Sequence, residues 1–353
     1  MSSHNIKISF PKNLLRWSKK NDRNFPWKQT TDPYKIWLSE IILQQTRVEQ
    51  GTPYYLKMIA LFPTVEHLAK AKEDAVLKAW QGLGYYSRAR NLHSAAKYIV
   101  DELKGKFPVD YNGWLILKGV GPYAAAAIVS FAYNLPHAVV DGNVYRVLAR
   151  CFGIETPIDS TEGKKRFSIL ANELLKKKDA GRFNQAIMDL GATICKPSSP
   201  LCNACPIGKN CFAKKNSLIS SLPVKNKKVK IKPRFFHYMI AHSEKGFLFE
   251  KRTGNDIWKG LYQFPLIEAT KFLTPLQLSS HQIIKNISSS TKIKIIESLM
   301  SKQLLSHQKI EAKFFILHAK KINTEKYIVE KKKHIKNLAV PKIIDQYIKN
   351  FIH

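Results

Sequence analysis

Apolar residues recur every three to four positions through most of the first 215 residues, the repeat of a helix with one buried face. Tyr34, Trp37, Leu38 and Ile41 lie on one such stripe. Asp32 followed by Pro33 predicts the start of that helix, and Gly51 predicts its end after Gln50. Comparable segments begin near Val65, Glu73, Ser87, Tyr123, Asn143 and Asn184, whereas strand-like alternation is scarce and no internal repeat is visible. The pattern changes near residue 216. Val224 to Lys232 holds five lysines and no acid, then Pro233, which predicts an exposed linker. Beyond it come runs rich in aromatic and β-branched residues, Phe235 to Ile240, Phe247 to Phe249 and Lys313 to Leu317, with a turn signal at Ser243-Glu244-Lys245-Gly246. The expectation is a multidomain chain: an all-α domain over 1–222, a Lys-rich linker over 223–232, and a smaller α+β domain over 233–353.

Composition narrows the class. With 353 residues, 44% hydrophobic and 24% charged, the chain is long enough for two ordinary domains and too apolar for wholesale disorder. Five cysteines are too few for a disulfide scaffold. The longest largely apolar run, Ala124 to Tyr133, is about half the ~20 residues a membrane helix needs. Met1 to Asn5 lacks the apolar core of a secretion signal, so a soluble cytoplasmic protein with no membrane partner is expected. Charge adds a direction. Lys and Arg number 58 against 26 Asp and Glu, for a formal net charge of +32. Residues 1–222 carry 32 basic and 17 acidic side chains and residues 223–353 carry 26 and 9, so both halves should attract a polyanion such as nucleic acid. Wealth in Lys, Ile and Asn also accompanies AT-rich coding, which is the alternative source of that charge.

Four of the five cysteines, Cys195, Cys202, Cys205 and Cys211, fall within 17 residues as C-x6-C-x2-C-x5-C. Four thiolates on one Pro-containing loop suit a single zinc or an iron–sulfur cluster. Cys151 sits on an apolar stripe and reads as core. Leu117 to Ala124 contains a Gly119-Val120-Gly121 turn before an Ala-rich helix, a place where backbone N–H groups could meet a phosphate or where two helices simply turn. Glu40 has Ile36, Trp37 and Leu43 as helical neighbours, a setting that raises a carboxyl pKa. Asp141 precedes Gly142-Asn143-Val144 and fits a helix N-cap.

The cysteine spacing, the preceding Phe183 to Ala192 segment, Leu43-Gln44-Gln45-Thr46 and the Asp141 segment together resemble the endonuclease III superfamily of DNA glycosylases, and within it the MutY-type adenine glycosylases. The resemblance runs over essentially the whole chain. It implies a helix-hairpin-helix fold in which Gly119, Val120 and Gly121 grip the DNA backbone, with Pro122 where the family usually has Arg. It implies one 4Fe-4S cluster on Cys195, Cys202, Cys205 and Cys211. It makes Glu40 the acid that protonates the leaving base, Asp141 the carboxylate at the cationic sugar, and Asn143 its orienting partner. Tyr123 stands where endonuclease III has a Schiff-base lysine, implying a monofunctional enzyme that uses water.

A stacked base must be flipped out before it is cleaved. By the same resemblance Gln45 and Tyr85 enter the duplex, Thr46 and Leu83 contact the opposite base, and Arg23, Trp27, Val48, Gln185 and Met188 line an adenine pocket. Packing in a core is the plain alternative for Leu83 and Tyr85. Trp258 to Pro265 resembles a Nudix-like domain without its R-E-x-x-E-E box, only Glu268 lying nearby. That domain would recognise 8-oxoguanine through Ser306 and His307, with Leu305 in place of an aromatic. The expected partner is double-stranded DNA with A:8-oxoguanine or A:G mispairs, bound by a nucleoid-associated monomer. An endonuclease III-like pyrimidine glycosylase with lyase activity, or a non-catalytic DNA-binding module, are the competing expectations.

Overall fold

The computed structural model describes residues 3–226, 231–290 and 293–352. Residues 227–230, inside the expected linker, and residues 1–2 lie outside the described residues. The chain forms two compact units, and they do not follow chain order: residues 70–93 group with the part after 228, and the rest of the first 227 residues forms the other unit. The single division at 222 expected from the sequence therefore does not describe the packing.

In the first unit no strand occurs among the described residues. The Pro33–Leu43 helix starts where Asp32 accepts from the Tyr34 amide at 2.9 Å and Pro33 supplies a helix-ready φ. It is apolar on nearly every side and packs on the Pro122–Tyr133 and Val48–Leu61 helices. Ala124 to Ala127 are all buried, and their small side chains let the first of these contacts close. The helix does not continue to Gln50. It ends at Gln44, Gln45 takes a left-handed φ of 55°, and a new helix runs over Val48–Leu61. Gly51 is thus not a terminator; it lies inside that second helix because a Cβ there would stand 2.8 Å from Leu43 Cδ2.

The Ala180–Thr193 helix packs on Gly142–Phe152, Ser3–Ser18 and Pro122–Tyr133. A helix over Tyr111–Ile116, a tight turn with Gly119 at φ 86°, and the Pro122–Tyr133 helix make the helix-hairpin-helix.

The second unit contains β1 (Lys232–Ser243), β2 (Gly246–Lys251), β3 (Tyr262–Gln263), β4 (Leu266–Ala269), β5 (Ile293–Leu304), β6 (Gln308–Ala319) and β7 (Ile328–Glu330). Their order is β3-β2-β1-β6-β5, with β4 on β1 and β7 on β2. β1 and β6 run parallel with Tyr238 opposite Phe314, and Phe236 to Ala241 are buried on both faces, as a covered parallel pair requires. The Lys342–Phe351 helix covers one face, Tyr347 stacking on Phe314 at 4.3 Å. The other face packs Met239, Phe315 and Leu317 against Leu278, Ile284 and Ile287.

Residues 70–93 join this unit through specific bonds. Asp74 accepts from Lys251 Nζ at 2.5 Å and from the Tyr262 hydroxyl at 2.6 Å. Gln81 Nε2 donates to Asp345 at 2.9 Å, and Arg90 donates to the Lys259 carbonyl at 2.6 Å.

Gly191 sits at a tight helix crossing, where a Cβ would lie 2.5 Å from Asn143 Cβ and 3.1 Å from its Cα. Gly191→Ala should therefore push the Gly142–Phe152 and Ala180–Thr193 helices apart and cost roughly 1–3 kcal/mol. A urea midpoint that falls with an unchanged slope would show it; an unmoved midpoint would mean that the crossing relaxes freely.

Candidate active site

Glu40 lies on the third turn of the Pro33–Leu43 helix with only 6% of its surface exposed. The Tyr123 hydroxyl, from the second helix of the hairpin, donates to its Oε2 at 2.9 Å. Burial drives the Glu40 pKa up to about 7; the Tyr123 bond opposes this and the nearby Asp141 charge adds to it. Burial also raises the Tyr123 pKa, with Glu40 and Asp141 adding to the shift, so the phenol keeps its proton and acts as the donor. Three groups separated by 83, 18 and 101 positions in the sequence thus share one electrostatic neighbourhood.

Asp141 is the N-cap of Gly142–Phe152, accepting from the Val144 amide at 2.7 Å through Oδ1 and from Asn143 Nδ2 at 2.8 Å through Oδ2. Burial raises its pKa, while these donors and the Arg146 charge hold it back. The capping and orienting roles are therefore compatible at one residue. Arg146 extends the chain of contacts: it donates to Asn143 Oδ1 at 2.9 Å, to the Gly191 carbonyl at 2.8 Å and to the Cys195 carbonyl at 2.6 Å. One turn on, Arg150 donates to the Lys196 and Pro197 carbonyls at 2.7 and 3.0 Å.

A cavity of 730 Å³ opens at Glu40 and is lined also by Trp27, Ser39, Gln185, Lys28 and Asp189. Of the five expected pocket residues, Trp27 and Gln185 line this cavity. Arg23, Val48 and Met188 are not on this wall: Arg23 lies over the Phe25 ring and 3.8 Å from Asp189, Met188 packs against Ala126, Ala127 and Val139, and Val48 begins the next helix. Sequence reasoning missed the Lys28–Asp189 pair, 2.8 Å apart. Its only signal was the four-residue spacing of Gln185 and Asp189, which puts both on one helix face.

The hairpin exposes Gly119 and Gly121, whereas the Val120 side chain is buried and anchors the turn. Gln45 is exposed beside Thr46 in the break between helices.

In the second unit Tyr85 is 46% exposed with φ 48°, and Leu83 is buried, 5% exposed. The Tyr85 hydroxyl bonds to Ser306 Oγ. Ser306 and His307 form the exposed turn between β5 and β6, and with Tyr85, Leu305 and Trp258 they line a cavity of 670 Å³.

The four loop thiols line one small cavity with Arg150 and Ile194. Gly208 makes room beside it, since a Cβ there would stand 2.9 Å from the Cys202 carbonyl and 3.4 Å from Cys205 Cβ. Among the described residues no three Cys, His, Asp or Glu side chains are gathered tightly enough to hold a single metal ion. A cubane with one thiolate per iron takes a wider donor set than one ion does, so the donor chemistry fits a cluster. Burial, aided by the other three thiols and opposed by a hydrogen bond from the Ile207 backbone, raises the Cys205 pKa to about 11.

Residues 38–172 match the HhH-GPD superfamily base excision DNA repair protein family. The chain is 36% identical over 260 residues to the adenine DNA glycosylase of Buchnera aphidicola subsp. Acyrthosiphon pisum (strain APS), covering 73% of this chain and 74% of that one. It is 40% identical over 215 residues to the Homo sapiens adenine DNA glycosylase, covering 58% and 39%. Among solved structures it is similar to a thermostable thymine-DNA glycosylase, with a TM-score of 0.57, 28% identity, and coverage of 61% of this chain and 100% of that one. An endonuclease III–DNA complex shares the fold, with a TM-score of 0.53, 20% identity, and coverage of 60% and 98%. No helix among the described residues is long and apolar enough to cross a membrane.

A carboxyl whose folded pKa exceeds its unfolded value contributes stability that is fully present below the unfolded pKa and lost as pH rises through the folded one. For Glu40 that window runs from about 4.5 to about 7. Glu40→Gln cannot ionise, so its melting temperature relative to the parent should climb across that window and level off above it. A difference that stays flat between about pH 5 and about pH 8 would put the Glu40 carboxyl in water rather than in a dry site.

Proposed function

Because the chain belongs to the adenine DNA glycosylases, within the HhH-GPD superfamily of base excision DNA repair proteins, we propose that Glu40 is the acid that protonates the adenine leaving group. The enzyme is a DNA glycosylase that hydrolyses the N-glycosyl bond of adenine in DNA. The observation that carries the assignment is the Tyr123–Glu40 hydrogen bond at the wall of the cavity, with Asp141 close enough to shift Glu40 further. A carboxyl with a pKa near 7 holds its proton for much of the enzyme population at neutral pH and releases it readily.

Protonation of the adenine ring breaks the bond to C1′ and leaves a cationic sugar. Asp141, held by Asn143 and the Val144 amide, faces that charge as a carboxylate. Glu40, now ionised, accepts a proton from water as it adds to C1′, and Tyr123 keeps the carboxyl aimed. Because a phenol and not an amine stands beside Glu40, the reaction ends at hydrolysis without a Schiff base. Trp27 and Gln185 hold the flipped base, and Lys28 and Asp189 form the polar end of its cavity.

The opposite strand is read by the second unit, a Nudix-like recognition domain. Adenine opposite 8-oxoguanine is the preferred target and adenine opposite guanine the second. The Tyr85–Ser306 bond supports this reading, because it joins an exposed aromatic wedge to the turn that would face the opposite base. Gln45 is the wedge from the first unit. The hairpin backbone at Gly119 and Gly121 holds phosphate, and the enzyme acts as a monomer.

Cys195, Cys202, Cys205 and Cys211 hold one 4Fe-4S cluster. Its chemistry here is a multiply ligated structural clasp for the loop that Arg146 and Arg150 also bind.

Glu40→Gln should keep duplex binding and lose adenine excision by ~10²–10⁴-fold in single-turnover assays. Near-parental turnover would remove Glu40 from this role. Purified protein should contain about four irons per chain and absorb broadly in the visible, and Cys202→Ala should lose both. One equivalent of zinc in a colourless protein would overturn the cluster.

A further inference from the structure

Arg234 stands near the start of β1, and all five of its N–H groups are engaged, the full capacity of a guanidinium. Nε donates to Glu268 Oε1 at 2.7 Å. One terminal nitrogen donates to Glu268 Oε2 at 2.7 Å and to Asp256 Oδ2 at 2.6 Å. The other donates to Asp256 Oδ1 at 2.9 Å and to Gln308 Oε1 at 3.1 Å. The side chain is 13% exposed. Arg252 also donates to Asp256 Oδ2, at 2.8 Å, and is itself fixed by the Ile257 carbonyl and Gln263. Two arginines and two carboxylates balance in charge, so the cluster offers no net cation to a phosphate. Its capacity is spent on fixing positions.

What it fixes is the residue after His307. The Leu305 amide donates to the Gln308 carbonyl at 2.8 Å, closing the Ser306–His307 turn. The Lys232 amide, two residues before Arg234, donates to the His307 carbonyl at 3.0 Å. The turn is therefore tied to β1 twice, by backbone at His307 and by side chain at Gln308. The Arg234 cluster in turn connects β1, the segment before Trp258, β4 and the start of β6.

We infer that Arg234 is a positioning residue for discrimination of the base opposite adenine, fixing the Ser306–His307 turn through Gln308. The inference rests on the proposed reading role of that turn. A planar fork sets the direction of each bond, so the turn is held in one place before DNA arrives rather than after. Lysine at 234 would keep the charge and lose the fork.

The test uses the full-length, cluster-loaded protein on two duplexes, A:8-oxoguanine and A:G, at one salt concentration. The readout is the ratio of the two kcat/KM values. Arg234→Lys and Gln308→Ala should each lower that ratio by the same factor, about threefold to tenfold, and leave A:G excision within about twofold of the parent. The double variant should match Arg234→Lys alone, because both act through one link. Gln308→Ala leaves both carboxylates clasped, so it should melt as the parent does and keep the test sound if Arg234→Lys folds poorly. Ser306→Ala is the control. If Ser306→Ala lowers the ratio and Gln308→Ala does not, the positioning role is overturned and the reading role stands. If Ser306→Ala leaves the ratio unchanged, the reading role fails and the inference falls with it. Equal loss on both duplexes in Gln308→Ala would show a purely structural bond and also overturn it.

Discussion

The proposed chemistry depends on keeping one carboxylic acid dry. Glu40 sits on a helix that is apolar on nearly every side, and such a helix has to be buried. Its burial is a by-product of packing Trp37, Leu38 and Ile42, none of which exposes any surface. A single hydroxyl from Tyr123 then satisfies the acid without supplying a positive charge that would strip its proton. Asp141 has the opposite provision, with two N–H donors and the helix start at its back. The two carboxyls are set apart by their donors more than by their distance from water.

The proposed role of Asp141 requires that it be held still, and what holds it lies outside the cavity. Arg146 and Arg150 occupy consecutive turns of the Asp141 helix and bind four carbonyls between Gly191 and Pro197. The cysteine loop thereby braces the helix that Asp141 caps. Gly191 lets the two helices come close enough for the arginines to reach.

Local rules made part of this legible. Asp32-Pro33 and Asp141 announced helix starts because capping acts within three residues. The runs at Phe235, Phe247 and Lys313 became β1, β2 and β6 because aromatic and β-branched density is a short-range signal. The break after Gln44 was hidden: no glycine or proline marks it, and a glutamine adopts the positive φ. Gly51 misled for the converse reason, being small for packing rather than for turning. Within the cavity, Lys28 and Asp189 were invisible as a pair because 161 positions separate them. The Arg234 cluster spans 22, 34 and 74 positions and was likewise beyond any periodicity. The catalytic assignment itself came from resemblance, since neither pattern nor charge says that Glu40 and Asp141 meet.

The placement of residues 70–93 in the sheet unit bears on how the chain is made. These residues leave the ribosome long before β2, β3 and the Lys342–Phe351 helix that they bind. At about 5–20 residues per second, on the order of ten to fifty seconds pass before those partners emerge. Leu77, which ends up against Gly260 with no exposed surface, spends that time without its neighbour. The sheet unit cannot be finished until the Lys342–Phe351 helix has emerged, whereas much of the helical unit can form before then. The nascent chain therefore carries this apolar segment uncovered until those partners emerge.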